Sequence, residues 1–194
     1  MNRTVKQKPR KQLDPAQTRA AILEAAFDAF AATGFAGASI ADVAELANVP
    51  KSLVQYHFGS KEELWQACVA QKAEPMLALV DRFMADESID IGEIAQARMS
   101  LHQRNPQVGR LLAWTSLTPT PVPLVVEERR NRVMARIDQG GVTGRIEAML
   151  FAFSTIDGYF LFRNLYRRVA GEAIASPEAE ARLLAQVLEV LKKS

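Results

Sequence analysis

Apolar residues recur at three- and four-residue spacing along nearly the whole chain and alternate nowhere for long. That spacing lines one face of a helix and predicts an all-α protein of about nine helices. Asp14-Pro15 opens the first helix, with Asp at the N-cap and Pro at the first helical position. Ala20, Leu23, Ala26, Phe27 and Phe30 form its apolar stripe up to a stop near Thr33-Gly34. Ser39, three residues before Asp42, starts a helix of barely two turns with Ile40, Val43, Ala44 and Ala47 on its inner face. Asn48 suits the left-handed conformation that ends it. Pro50 suits the opening of the next short helix, in which Leu53 or Val54 and Phe58 point inward. Ser60 caps a fourth helix, with Glu62 and Glu63 in the first turn, where the macrodipole favours negative charge. Longer helices follow at about 60–85, 89–104, 107–117, 122–138, 143–170 and 177–192. They are separated by Asp86-Glu87-Ser88, Asn105-Pro106, the segment Pro119–Pro123, Gly140-Gly141 and the stretch from Gly171 to Pro177.

Composition agrees with this pattern. The 194 residues include 30 Ala against 10 Gly and 9 Pro, and Ala is the strongest helix former. The chain is 48% hydrophobic and 24% charged, an ordinary globular balance. A single cysteine, Cys68, excludes an internal disulfide framework and fits a reducing cytoplasm. The basic start MNRTVKQKPRKQ is followed by no apolar core of a signal peptide. The longest apolar run, Ala148 to Phe162, is interrupted by Asp157 and falls short of the ~20 residues that span a bilayer. A cytoplasmic protein without a membrane partner is expected.

Charge is sorted rather than absent. The formal net charge is only +2, yet Arg3, Lys6, Lys8, Arg10 and Lys11 give residues 1–13 a charge of +5, which leaves −3 for the rest. With almost nothing to bury, 1–13 reads as a disordered basic arm. Residues 14–60 then read as one small domain and 61–194 as a second.

The first of these has the makings of a DNA reader. Two short helices joined by a tight turn, with a longer helix packed across them, form the helix-turn-helix arrangement. Ala44 is small where the two helices cross, Asn48 supplies the turn and Val49 plugs the space between them. The segment GFAGASIADVAELANVPKSLVQYHFGSKEELW also closely resembles the DNA-binding domain of the tetracycline-repressor (TetR) family. Gly34-Phe35, Ser39-Ile40, the Ile-Ala-Asp-Val-Ala run, Tyr56-His57-Phe58 and Ser60-Lys61-Glu62-Glu63-Leu64 carry the likeness. It covers about residues 15–65.

The resemblance implies that Pro50 to His57 lies in the major groove. Lys51, Ser52, Leu53 and Gln55 would then face bases: Lys donates to guanine O6/N7, Gln pairs with adenine N6/N7, and Leu53 offers only apolar contact. Ser39, Tyr56, His57 and Lys61 fall where phosphates are held. Pro50 stands where the family often has Ser, and Gln55 where it often has Tyr, which alters the base read. The motif at 14–61 carries three bases against five acids, so the arm is the obvious source of nonspecific phosphate attraction.

By the same resemblance, the C-terminal part binds a small-molecule effector and forms a homodimer on a pseudo-palindromic operator. Candidate pocket residues are Phe83, Met99, His102, Leu112, Trp114, Met134 and Phe151. A mostly apolar pocket with a polar group such as His102 suits an amphipathic or aromatic ligand. Candidate dimer residues are Leu150, Phe153, Ile156, Phe160 and Leu161 on the penultimate helix, and Leu183, Leu184, Val187, Leu188 and Leu191 on the last. The expected function is a ligand-responsive transcriptional repressor. A helical ligand- or partner-binding protein with a non-functional helix-turn-helix is the alternative. His57 and His102 have no second metal ligand spaced beside them, and no phosphate loop, nucleophile elbow or Cys-x-x-Cys is present, so neither catalysis nor a cofactor is expected.

Overall fold

The caps read from the sequence form as drawn. In the computed structural model, which describes residues 14–86, 88–138 and 143–192, the Asp14 carboxylate accepts from the Ala16 N–H and Pro15 opens α1 (Pro15–Gly37). Ser39 and Asp42 make a reciprocal capping box at α2 (Ile40–Leu46), and Ser60 and Glu63 make another at α4 (Lys61–Ala85). Such caps satisfy backbone N–H groups that the first turn would leave orphaned, each contributing about 1 kcal/mol. Between them lies α3 (Lys51–Phe58), and the chain continues through α5 (Ile91–Arg104), α6 (Val108–Leu117), α7 (Leu124–Asp138), α8 (Thr143–Ala170), a 3₁₀ turn at Glu172–Ala175, and α9 (Pro177–Leu191). No strand occurs among the described residues. The arm at 1–13 and the Gly140-Gly141 break lie outside them.

One boundary differs from the sequence reading. The first helix does not end at Thr33-Gly34 but resumes to Gly37 across a break at Gly34, whose φ is 74° and ψ 173°. An L side chain rarely takes that conformation, and a Cβ on Gly34 would stand 3.0 Å from the Trp114 ring. The glycine therefore breaks the helix and admits the indole of α6 at the same point.

Three apolar clusters hold the helices. In the first, Trp65 meets the edge of Phe30 at 5.0 Å, and Ile22, Leu23, Phe27, Val43, Val54, Phe58, Leu64 and Cys68 surround the pair. Val108 of α6 is buried in this cluster, and Leu111 and Leu112 pack on it, so the first core does not close at residue 60. The second gathers Met76, Val80, Phe83 and Met84 of α4 with Ile89 and Ile94. The third joins Ala95 and Met99 of α5 to Ala152 and Ile156 of α8 and to Val187 and Leu191 of α9. Fully burying one such side chain contributes about 1.5–3 kcal/mol. The Pro119–Pro123 connector is strapped to α4: the Trp65 indole N–H donates to the Pro121 carbonyl at 2.8 Å, and the Leu124 N–H to the Gln66 side chain at 2.8 Å.

α1 is also long and apolar enough to pass as a membrane span by length and composition, which the apolar-run argument did not anticipate. Its apolar residues are instead the largest contributors to the first core. Cys68 is fully buried in that core, and burial pushes its thiol up to about 12. Because the thiolate is the reactive form, a thiol reagent at pH 8 is expected to leave the folded protein unmodified and to label one thiol per chain in denaturant. Rapid native labelling would show that the core opens at Cys68.

Candidate nucleic-acid interface and ligand cavity

The α2–α3 turn sets the recognition geometry. Asn48 adopts φ 52°, and two backbone bonds close the end of α2: Val49 N–H to the Ala44 carbonyl and Asn48 N–H to the Glu45 carbonyl, both 3.0 Å. This is a Schellman motif, with Asn at the left-handed position that more often holds Gly. Ala44, 5% exposed, lies at the crossing, and Val49 and Ile40 pack half-buried on the core. Val54 and Phe58 fix the inner face of α3, and Gly59 ends that helix at φ 69°. Leu53, one of two alternatives for an inward position, is only half-buried.

The opposite face of α3 presents Lys51, Ser52, Gln55 and Tyr56 to solvent, Tyr56 at 82% exposure. His57 is half-buried, its ring 5.3 Å from that of Tyr56 in an edge arrangement. Ser39 accepts from the Asp42 N–H at 3.1 Å, which leaves its hydroxyl proton available as a donor. The Ser60 backbone N–H, and then its hydroxyl, hold the Glu63 carboxyl below the usual carboxylate range. The Lys61 ammonium lies 4.6 Å over the Phe35 ring and 3.4 Å from the Ala36 carbonyl. Arg19, which the sequence reading passed over, sits with its guanidinium 4.9 Å over Phe58, at the end of the reading helix.

These features have close relatives. Residues 22–68 match the family described as bacterial regulatory proteins, tetR family. The chain is 30% identical over 165 residues to the HTH-type transcriptional regulator RutR of Escherichia coli (strain K12), spanning 83% of this chain and 76% of RutR. The chain belongs to the TetR family. It is a DNA-binding transcriptional regulator. It is also 33% identical over 123 residues to the transcriptional repressor SCO4008 of Streptomyces coelicolor, covering 63% of this chain and 62% of that one. The whole fold recurs in the solved structure of SCO4942 from Streptomyces coelicolor, with TM-score 0.65 at 20% identity, covering 89% of this chain and 97% of that one. The fatty acid degradation regulator FadR of Bacillus halodurans gives 0.58 at 16%, covering 93% and 96%.

In this TetR-family chain the seven candidate pocket residues do not come together. Leu112 lines a cavity of about 160 Å³ between α1, α4, α5, α6 and α8, with Phe27, Met76, Leu77, Val80, Leu101 and Phe153 around it. Phe83 and Phe151 line an open groove of about 720 Å³ between the end of α4, the start of α8 and the end of α9. Met99 is buried in the third core, Trp114 packs on Gly34, and Met134 stands on α7 at 50% exposure. His102 is buried and stacked on Phe160 at 4.5 Å.

One wall of that cavity carries a charged group the candidate set missed. Arg98 lines it, and its guanidinium lies 4.5 Å over Phe153. Its Nε and Nη2 donate to the two oxygens of Asp157 at 2.6 and 2.5 Å, and His102 Nε2 lies 2.7 Å from Asp157 Oδ1. Burial works to raise the Asp157 pKa, but the hydrogen bonds from His102 and Arg98 outweigh it and hold the carboxyl below its ordinary range. Two sequence signals pointed here: an acid inside the apolar run 148–162, and Arg98 and His102 four residues apart on one helix face.

The dimer candidates also divide. Phe153, Phe160, Leu184, Val187, Leu188 and Leu191 face inward and pack in the second and third cores. Leu150 and Leu161, at 54% and 41% exposure, look outward. They share the outward apolar face of α8 with Phe162, Leu165 and Val169, and Val190 is exposed on α9. Periodicity shows that a helix has an apolar stripe, and α8 has two, one for α5 and one for solvent.

Proposed function

We propose that this chain is a homodimeric repressor that binds a pseudo-palindromic operator and is released by a small effector in the C-terminal helices. The observation that carries the DNA half is the exposed row Lys51, Ser52, Gln55 and Tyr56, held rigidly by the Asn48 turn. Leu53 adds apolar contact, and Ser39, Tyr56, His57 and Lys61 hold the phosphates on either side. The effector site is the cavity at Arg98, where that guanidinium and Lys72, itself paired with Glu24, stand among apolar walls and suit a small apolar or aromatic molecule with a hydrogen-bond acceptor. The outward stripe of α8 supports the dimer, since an apolar face of that extent marks an interaction surface. An effector that fits one spacing of the two reading helices better than the other shifts the population between them.

A mobility shift on the DNA upstream of the protein's own gene tests this reading, with the dimer confirmed by sedimentation. Absence of any specific complex at moderate salt would sink it. Gln55→Ala is expected to cost about 1–3 kcal/mol on the preferred site and to relax preference at one base position per half-site. Lys61→Ala is expected to weaken all duplexes alike, with the salt slope reduced by about one. Uniform losses from both variants would mean that the docking register is displaced along α3.

A further inference from the structure

Resting on the DNA-binding reading, we propose that Arg19 of α1 is a phosphate-binding residue of this protein, held for that task on the ring of Phe58. The first ground is its place. The Arg19 guanidinium lies 4.9 Å over Phe58, the Phe58 ring lies 6.3 Å from that of His57, and His57 lies 5.3 Å from Tyr56. Arg19 thus extends the row of phosphate candidates Tyr56 and His57 by one position, from a neighbouring helix. A ring face orders a cation without neutralising it. Phe58 is 7% exposed and packed in the first core, so the seat is fixed. Arginine is rich in rotamers, and the seat removes part of that freedom before a duplex arrives, which lowers the cost of the contact. Its planar fork can then give two parallel N–H bonds to one phosphate. Lys61 on Phe35, at 4.6 Å, repeats the arrangement with the other cation type.

The second ground is that its charge is intact. The acids of α1 and its cap are engaged elsewhere: Asp14 accepts from the Ala16 N–H at 3.0 Å, Glu24 pairs with Lys72 at 2.6 Å, and Asp28 accepts from Gln107 at 2.9 Å. The positions three and four residues from Arg19 along the helix are Pro15, Ala16, Ile22 and Leu23, so no acid shares its face. Among the described residues no carboxylate pairs with Arg19, and the residue is exposed. Asp42, in turn, is held in its capping box with Ser39. A helix that commits each of its acids to a cap or to another helix, and leaves its one base on a ring beside the reading face, presents that base to an anion.

The test compares Arg19→Gln and Arg19→Lys with the unaltered full chain. Binding to a mixed-sequence duplex of ~30 bp and to the protein's own upstream fragment is followed by fluorescence anisotropy from ~50 to ~200 mM salt. Arg19→Gln is expected to lower the slope of log K against log salt by about 0.9 for each bound protomer. At ~0.1 M salt that is an affinity loss of about 10-fold per protomer, alike on both duplexes. Arg19→Lys keeps the charge and is expected to restore the slope. Both variants should melt within about 4 °C of the unaltered chain, because an exposed cation–π contact adds little to stability. An unchanged slope in Arg19→Gln would overturn the proposal. So would a loss confined to one duplex, which would make Arg19 a base reader. A lysine variant as weak as the glutamine one, or a larger fall in the melting temperature, would also overturn it, by making the guanidinium a strut between α1 and α3. If the unaltered chain binds neither duplex in a salt-dependent way, the DNA-binding reading itself falls, an outcome distinct from a binding chain indifferent to Arg19.

Discussion

Asp157→Ala is expected to lower the thermal midpoint by roughly 10 °C. The carboxylate is shared by two groups on α5, Arg98 with 11% of its side chain exposed and His102 with 0%, while its own side chain is 25% exposed. Removing it leaves a guanidinium paired with nothing and a histidine whose other ring nitrogen, Nδ1, already has no hydrogen-bond partner. Breaking a buried ion pair by deleting one partner costs about 3–5 kcal/mol, and a chain of this size loses about 2–4 °C per kcal/mol. The loss comes from stranding the charge. The combined variant Arg98→Met, His102→Phe, Asp157→Leu removes all three groups and is expected to recover most of the midpoint, as exchanging a whole buried cluster for apolar residues often does. If the combined variant is as unstable as the single one, packing around α5–α8 and not charge burial is at fault.

Acid should reveal the same carboxylate. Its folded pKa is depressed, so its contribution is fully present above the unfolded value of about 3.9 and is lost as the pH falls through the folded value. The midpoint difference between the native chain and Asp157→Ala should therefore be constant near neutrality and shrink below about pH 4. A difference that grows with acid would reverse the sign and refute the assignment.

On the dimer proposed above, Leu165→Glu is expected to convert the protein to monomer and to weaken operator binding by about 100-fold or more. Leu165 is 54% exposed on the outer stripe of α8. In a two-fold dimer each carboxylate would face apolar surface twice over, and burying an unpaired charge costs several kcal/mol. Without the partner, one helix-turn-helix meets one half-site and the gain from linked binding disappears. Sedimentation and anisotropy on the same samples check both halves. Val187→Ala is the contrast. Val187 is 2% exposed and packs between α5 and α8, so that change is expected to lower stability while leaving the dimer intact. A dimeric Leu165→Glu with native affinity would move the interface elsewhere.

The N-terminal third was legible because its determinants are local. Asp14-Pro15, the Ser39–Asp42 and Ser60–Glu63 boxes and the left-handed Asn48 each act within four or five residues, so reading them in order places α1 to α4. The reading faltered at Gly34, where the glycine breaks the helix without ending it and Trp114, eighty residues later, packs against the break.

Beyond α4 the sequence determined the helices to within about two residues but not what their faces meet. The rise of a helix and its apolar spacing are set by nearest neighbours along the chain. Which stripe of α8 turns toward α5 is set by packing between segments 50 to 60 residues apart. The pocket shows the same division. In the sequence Asp157 only interrupts the apolar run 148–162, and the tertiary structure alone brought Arg98 to both its oxygens and His102 to one of them. A lone charge in a core is a cost, and its partner is decided by which helices lie close enough to offset it.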